Sequence, residues 1–287
     1  MRFAVFTAST PEWTAEEAAT ILADQGWHGI EWRITDQEAP AGATGFWAGN
    51  KATWPLTGLE DSLDLIREVT EKAGLAFSSI GGYVPPTDRE NADRMLAATA
   101  ALGAGRVRIA GLSVGDSTYS EAFARNREDW QWVEERARHH GVRALVELHH
   151  GTLTPSASAA RRLLDGLDPR YVGVIHDIGN MVIEGWEEPL HSLDLLGDYL
   201  AHVHIKNCAF YVAGVEPDGT LRWEPKWVPL REGRADLPGL FRSLAAVGYD
   251  GWVTVEDFSD TVPLAERTAG NLEYLTSIAS AAGYDLG

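Results

Sequence analysis

Eight short apolar runs punctuate the chain, and each is followed by a longer stretch whose apolar residues recur at helical spacing. The runs are RFAVFT (2–7), GIEWRI (29–34), LAFSSIG (75–81), RVRIAG (106–111), VRALVEL (142–148), VGVIHDI (172–178), AHVHIK (201–206) and GWVTVED (251–257). Strand-like runs that alternate with amphipathic helices are the pattern of a parallel sheet with helical crossovers. Eight such units in 287 residues, with no glycine-rich phosphate fingerprint after the first run, predict an α/β fold. The expected form is one closed (β/α)8 barrel over 1–287, not an open doubly wound sheet. Thr14 with Glu17 and Thr87 with Glu90 fit the reciprocal capping box, Asp236 is a further helix cap, and two helical stretches end in Gly74 and Gly283. One segment breaks the rhythm: residues 207–236, after the seventh strand, read as an irregular loop with a turn at Asp218–Gly219 and are expected to form a lid.

Composition narrows the partners. The chain carries 42 acidic and 24 basic side chains, a formal charge of −18, which repels phosphate backbones and anionic lipid at long range. Nucleic acid and membrane surfaces are therefore not expected partners. The single Cys208 has no intrachain partner for a disulfide, the first residues read as a strand and not as a secretory signal, and no apolar run is long enough for a membrane span. A soluble cytoplasmic protein is expected.

In a barrel of this kind catalytic groups sit at the C-terminal ends of strands, and side chains alternate between the interior and the helix layer. On the fifth strand Leu145, Glu147 and His149 share one parity; on the sixth, Asp177 shares that of Ile175. On the seventh, His202, His204 and Lys206 lie opposite Val203 and Ile205, and on the eighth Thr254 and Glu256 lie opposite Val253 and Val255. The inward set at the top is thus Glu147, Asp177, His204 and Glu256. Three carboxylates converging there repel one another unless something positive sits among them, and a divalent cation meets that need. Three oxygen donors and one imidazole favour manganese, with magnesium, cobalt or zinc as alternatives, and open positions are expected for substrate oxygens.

VELHHG (146–151), VGVIHDIGNMVIEG (172–185), HVHIKN (202–207), VTVEDF (253–258) and GWHGIEWR (26–33) resemble, in order, motifs of the sugar phosphate isomerase/epimerase family of xylose isomerase-like barrels. The resemblance runs over nearly the whole chain and carries that family's metal ligands onto Glu147, Asp177, His204 and Glu256, the set that parity selects. It implies that Glu147 and Glu256 act as acid and base on opposite faces of a substrate held by its carbonyl and hydroxyl oxygens. The activity expected is a metal-dependent sugar or polyol isomerase or epimerase working through a cis-enediolate. A lyase on the same scaffold, an inosose dehydratase or an enzyme that cleaves a 3-oxo-glycoside by β-elimination, is the alternative. The chain departs from the ketose 3-epimerases in carrying Asn180, Phe210 and Leu153 where they have histidine, arginine and glutamate, so its substrate-positioning set is altered.

Further substrate contacts are expected. Glu31 stands where the family often has an acidic substrate contact, or else pairs with a neighbouring helix. His149 lies just beyond Glu147 on the same face and is placed to donate to a hydroxyl, and Asn180 is counted with the substrate-binding residues. Lys206 either neutralises developing negative charge, holds a carboxylate or phosphate, or forms a salt bridge at the rim. Of the 11 tryptophans, Trp47, Trp54, Trp186, Trp223 and Trp227 fall in loops at the active end. Their faces suit the C–H side of a small carbohydrate, an interface in a homo-oligomer, or plain packing.

Overall fold

The computed structural model describes residues 1–40 and 42–286, so within the expected 1–287 span Ala41 and Gly287 lie outside the described residues. Its elements run β1 (Arg2–Phe6), α1 (Ala15–Asp24), β2 (Gly29–Ile34), β3 (Thr53–Trp54), α2 (Leu59–Lys72), β4 (Ala76–Gly82), α3 (Arg89–Leu102), β5 (Arg106–Arg108) and α4 (Tyr119–His140). They continue with β6 (Arg143–Glu147), α5 (Ala157–Leu164), β7 (Val172–Asp177), α6 (Ile178–Ile183), α7 (Pro189–Leu196), β8 (Leu200–Ile205), β9 (Asn207–Val215), β10 (Leu221–Val228), α8 (Leu237–Ala246), β11 (Trp252–Val255) and α9 (Leu264–Ala281). The strands pair in parallel in the order β1-β11-β8-β7-β6-β5-β4-β2, and β2 pairs back onto β1. The result is a closed (β/α)8 barrel.

Closure forces each strand to sort its side chains. Val146, Val174, Val203, Val253 and Val255 join the large core between sheet and helices, while Leu145 and Ile175 pack inside the barrel beneath Glu147 and Asp177. Each fully buried side chain of this size contributes roughly 1.5–3 kcal/mol. The polar inward residues of β6, β7, β8 and β11 are therefore carried on strands whose outward residues are locked into apolar packing, which fixes where the polar groups point.

Local signals fare unevenly. Thr14 and Glu17 form the reciprocal box, the backbone N–H of Thr14 donating to Glu17 at 2.9 Å and that of Glu17 to Thr14 at 3.2 Å. Asp236 caps α8 by accepting from the Gly239 N–H at 2.9 Å. The expected Thr87–Glu90 box is not the cap of α3. That helix starts at Arg89, one residue later, and Asp88 accepts from both the backbone N–H and the side-chain amide of Asn91, at 3.3 and 2.8 Å. An ionised carboxylate adjacent to a hydroxyl is the stronger acceptor and wins the position.

Segment 207–236 is not irregular. β9 and β10 form an antiparallel ribbon, and its turn includes Gly219 at φ +88°. The ribbon is tied down at its base by Asn207, whose amide donates to the carbonyls of Leu230 (2.8 Å) and Ala235 (3.2 Å) while its oxygen accepts from the N–H groups of Cys208 and Ala235, both at 2.9 Å. Replacing Asn207 by alanine leaves these buried backbone groups unpaired, so a loss of about 1–3 kcal/mol is expected in denaturant unfolding. A change below about 0.5 kcal/mol would show that the clamp adds nothing. Among the described residues no helix is long and apolar enough to cross a membrane.

Candidate metal centre

Glu147 ends β6, Asp177 ends β7, His204 lies on β8 and Glu256 follows β11, so all four side chains leave the same end of the barrel. One ligand atom from each lies within 4.8 Å of all the others. All four side chains are buried. His204 Nδ1 is 3.0 Å from Glu256 Oε1 and 3.4 Å from Glu147 Oε1, yet it has no hydrogen-bond partner. A buried nitrogen without a partner, facing carboxylate oxygens, is a position where positive charge is favoured, and the donor set of three carboxylates and one imidazole fits a divalent ion.

Charge balance supports that fit. Four carboxylates, Glu31, Glu147, Asp177 and Glu256, meet two permanent cations. Lys206 Nζ lies 2.5 Å from Asp177 Oδ2, 3.7 Å from Glu147 and in contact with Glu256; Arg108 donates to Glu147 Oε2 at 2.7 Å. Four less two leaves two negative charges for a divalent ion or for protons to balance. The individual carboxyls divide accordingly. Burial disfavours the charge on Glu147, but Arg108 and Lys206 prevail and hold it well below the ordinary range. Glu256 is likewise held low by Lys206 and His204 against its burial. For Asp177, burial together with the nearby Glu256 and Glu147 outweighs Lys206 and pushes the carboxyl up to about 7.

The cluster opens into a cavity of about 300 Å³. Glu147, Glu256, Asn180, Lys206 and Arg108 line it with polar groups, and Trp47, Tyr83, Trp227 and Phe258 supply aromatic walls. Phe258 ties those walls together, its ring centroid 4.9 Å from that of Trp47 and 6.3 Å from that of Trp227. A wider groove of about 760 Å³, lined by Arg106, Arg143 and Tyr249, lies at the start of the strands, away from the cluster.

Other expected contacts are distributed differently. His149 lines the cavity and stacks on His150 with ring centroids 4.4 Å apart. His150, of opposite parity to Glu147 and His149 in sequence, also lines the cavity because β6 ends at Glu147 and the chain turns. Asn180 reaches the cavity, but its amide nitrogen is committed to Glu147 Oε1 (3.2 Å), Asp177 Oδ2 (3.1 Å) and the Leu148 carbonyl (3.1 Å). It braces two of the four cluster residues. Glu31 is not on the cavity wall: it is fully buried beneath the cluster, bonded to His202 and His204. Arg33, two residues on along β2, donates to Gln37, Thr53 and the Trp47 carbonyl. Of the five loop tryptophans, Trp47 and Trp227 line the cavity, Trp54 packs edge-on against Trp32, and Trp186 and Trp223 are exposed. Leu153 is a core residue and Phe210 sits on the ribbon against Arg234.

Sequence reasoning missed Arg108. Its register partner on β6 is Leu145, which shares the parity of Glu147, so a cation facing the carboxylates was readable from the strand alignment.

Comparison with known proteins agrees with this architecture. The family model described as a xylose isomerase-like TIM barrel matches residues 20–278. The inosose dehydratase of Lacticaseibacillus casei is 28% identical over 131 residues, covering 44% of this chain and 44% of that protein, so the aligned part spans less than half the length of the relative. The structure of the 3-keto-D-glucoside 4-epimerase YcjR from E. coli superposes with a TM-score of 0.72 at 16% identity, covering 96% of this chain and 99% of that one. The IOLI protein, solved with a zinc atom bound, superposes with a TM-score of 0.74 at 15% identity, covering 99% of this chain and 100% of that one. With the family model matched over most of its length and the closed barrel in place, the chain belongs to the xylose isomerase-like TIM barrel family.

Proposed function

We propose that this chain is a divalent-metal-dependent enzyme that moves a proton on carbon next to a carbonyl of a sugar or sugar-like polyol, giving isomerisation or epimerisation through a cis-enediolate. The observation that carries the reading is the buried set Glu147, Asp177, His204 and Glu256, with two of its glutamates reaching one cavity from strands separated by β7 and β8. Three oxygen donors and one nitrogen favour manganese, and magnesium, cobalt and zinc suit the same donors. Such an ion, when bound, supplies Lewis acidity for the charge that develops on adjacent substrate oxygens.

The chain's own residues do the rest. Glu147 and Glu256 reach the cavity from strands separated by β7 and β8, and in this reading one takes the carbon-bound proton and the other returns it on the opposite face. Asn180 and Arg108 hold Glu147 in place. Lys206 places an ammonium where an enediolate oxygen gains charge. His149 donates to a substrate hydroxyl. Trp47, Trp227 and Phe258 stack on the C–H face of the substrate and exclude water. The β9–β10 ribbon, with Trp227 near its base, acts as a lid. A cavity of about 300 Å³ is at the small end of the range for small-molecule sites, which favours a single sugar unit over a polymer.

A second reading is favoured by the resemblance to inosose dehydratase over 131 residues. In it one glutamate takes the same proton, a C–O bond at the next carbon breaks, a carbon–carbon double bond forms, and the leaving oxygen takes the proton from that glutamate's carboxylic acid, so that water or an alcohol departs while Lys206 stays charged. Incubating metal-loaded protein with ketoses, inososes and 3-oxo-glycosides in deuterated water separates the readings by mass spectrometry. Epimerised or isomerised product carrying one solvent deuterium on carbon is expected. Loss of water or an aglycone identifies the elimination, and metal-dependent turnover with neither signature contradicts both.

A further inference from the structure

We propose that Glu31 is a positioning residue that fixes the tautomer and ring plane of His204, and so presents His204 Nδ1 to the metal. This rests on the metal-dependent reading above.

Glu31 lies on β2, and in the barrel order β2-β1-β11-β8 its strand is three places from the one that carries His204. Its side chain crosses the interior beneath the cluster, and Oε2 lies 3.1 Å from His204 Nε2 and 3.1 Å from His202 Nε2. All three residues have no exposed surface. An ionised carboxylate only accepts, so His204, whose Nε2 has Glu31 as its hydrogen-bond partner, must bring its Nε2–H to that oxygen. In a neutral His204 ring that leaves the lone pair on Nδ1, the atom that lies between Glu147 and Glu256 without a hydrogen-bond partner. The tautomer a ligand needs is therefore set from behind by one hydrogen bond.

Glu31 is itself held. His202 Nε2 is also 2.9 Å from Thr254 Oγ1, which is 3.3 Å from Ser78 Oγ, so the carboxylate is anchored on the side away from the cluster. The trio Glu31, His202 and His204 brings three ligand atoms as close together as the main cluster does. A second cation there would require Nε2 of His204 to give up its proton while Nδ1 is already engaged, and a neutral imidazole has one lone pair only. Two imidazole contacts to the single oxygen Oε2 account for the close approach of the three residues, while Glu31 Oε1 and His202 Nδ1 have no hydrogen-bond partner.

The test uses the full chain. Divalent content and affinity are measured by calorimetry with manganese in wild type, Glu31→Gln and Glu31→Asp, with folding checked by circular dichroism. The visible absorption of the cobalt-loaded proteins reports the ligand field. Wild type is expected to bind one equivalent. Glu31→Gln is expected to stay folded, bind about 10–100-fold more weakly and show a shifted cobalt spectrum, with partial recovery in Glu31→Asp. Because the variants could unfold, nitrogen-15 NMR of zinc-loaded wild type reads the tautomer directly: His204 must carry its proton on Nε2. Unchanged affinity and spectrum in a folded Glu31→Gln, or a proton on Nδ1, overturns the role of Glu31 and leaves the metal centre standing. Two equivalents in wild type with one lost in Glu31→Gln overturns it in favour of a second cation site. No ion bound to wild type overturns the metal-dependent reading and this inference with it.

Discussion

Glu256→Gln is expected to lower turnover by about 10²–10⁴-fold, the range for a positioned acid or base, while the folded protein remains close to wild-type stability. The amide keeps an oxygen for a metal but cannot hold a proton from carbon. Lys206 loses one partner yet keeps Asp177 at 2.5 Å, so no cation is stranded. Glu147→Gln should be as damaging to turnover and more damaging to the fold. Arg108 is buried, and Glu147 is its carboxylate partner at 2.7 Å. Removing one member of such a pair typically costs about 3–5 kcal/mol. Kinetics and thermal melting of the two variants, with metal content measured in each, check the pair. Equal loss of stability in both would mean that Arg108 does not depend on Glu147, and retained turnover in either would remove that glutamate from the proton path.

Stripping divalent ions is expected to abolish turnover, and adding manganese back should restore it. The same step should alter stability. An ion that binds only the native state contributes about 4 kcal/mol when present at a thousand times its dissociation constant, so the melting temperature should rise with manganese concentration. The physical source is the charge deficit in the centre, where four buried carboxylates face Lys206 and Arg108. Turnover that survives exhaustive chelation, with no ion retained, would mean that Lys206 and Arg108 alone manage the charge.

The barrel was readable from sequence because alternation between short apolar runs and amphipathic stretches leaves few other ways to bury both faces of a parallel sheet. The convergence of Glu147, Asp177, His204 and Glu256 was readable for a related reason: a strand has a period of two, so a polar residue at its C-terminal end faces inward or outward according to its apolar neighbours. What escaped depends on contacts between distant strands. Glu31 is one residue on a strand read correctly, but its bond to His204 joins residues 173 positions apart and exists only after closure. Asn180 borders the cavity, and beside its local bond to Asp177 its amide nitrogen bonds Glu147 and the Leu148 carbonyl, contacts that likewise join separate segments and exist only in the assembled barrel. The β9–β10 ribbon escaped because it stands off the core. Tyr211, Val212, Val215, Leu221 and Trp223 are exposed there, so no inward and outward alternation marks it.

The presence of an ion among the four side chains is decided by a crystal soaked in manganese and measured for anomalous scattering. One peak is expected within about 2.0–2.6 Å of oxygens from Glu147, Asp177 and Glu256 and of His204 Nδ1. No peak there, with the three carboxylates paired only to Lys206 and Arg108, would contradict the metal centre.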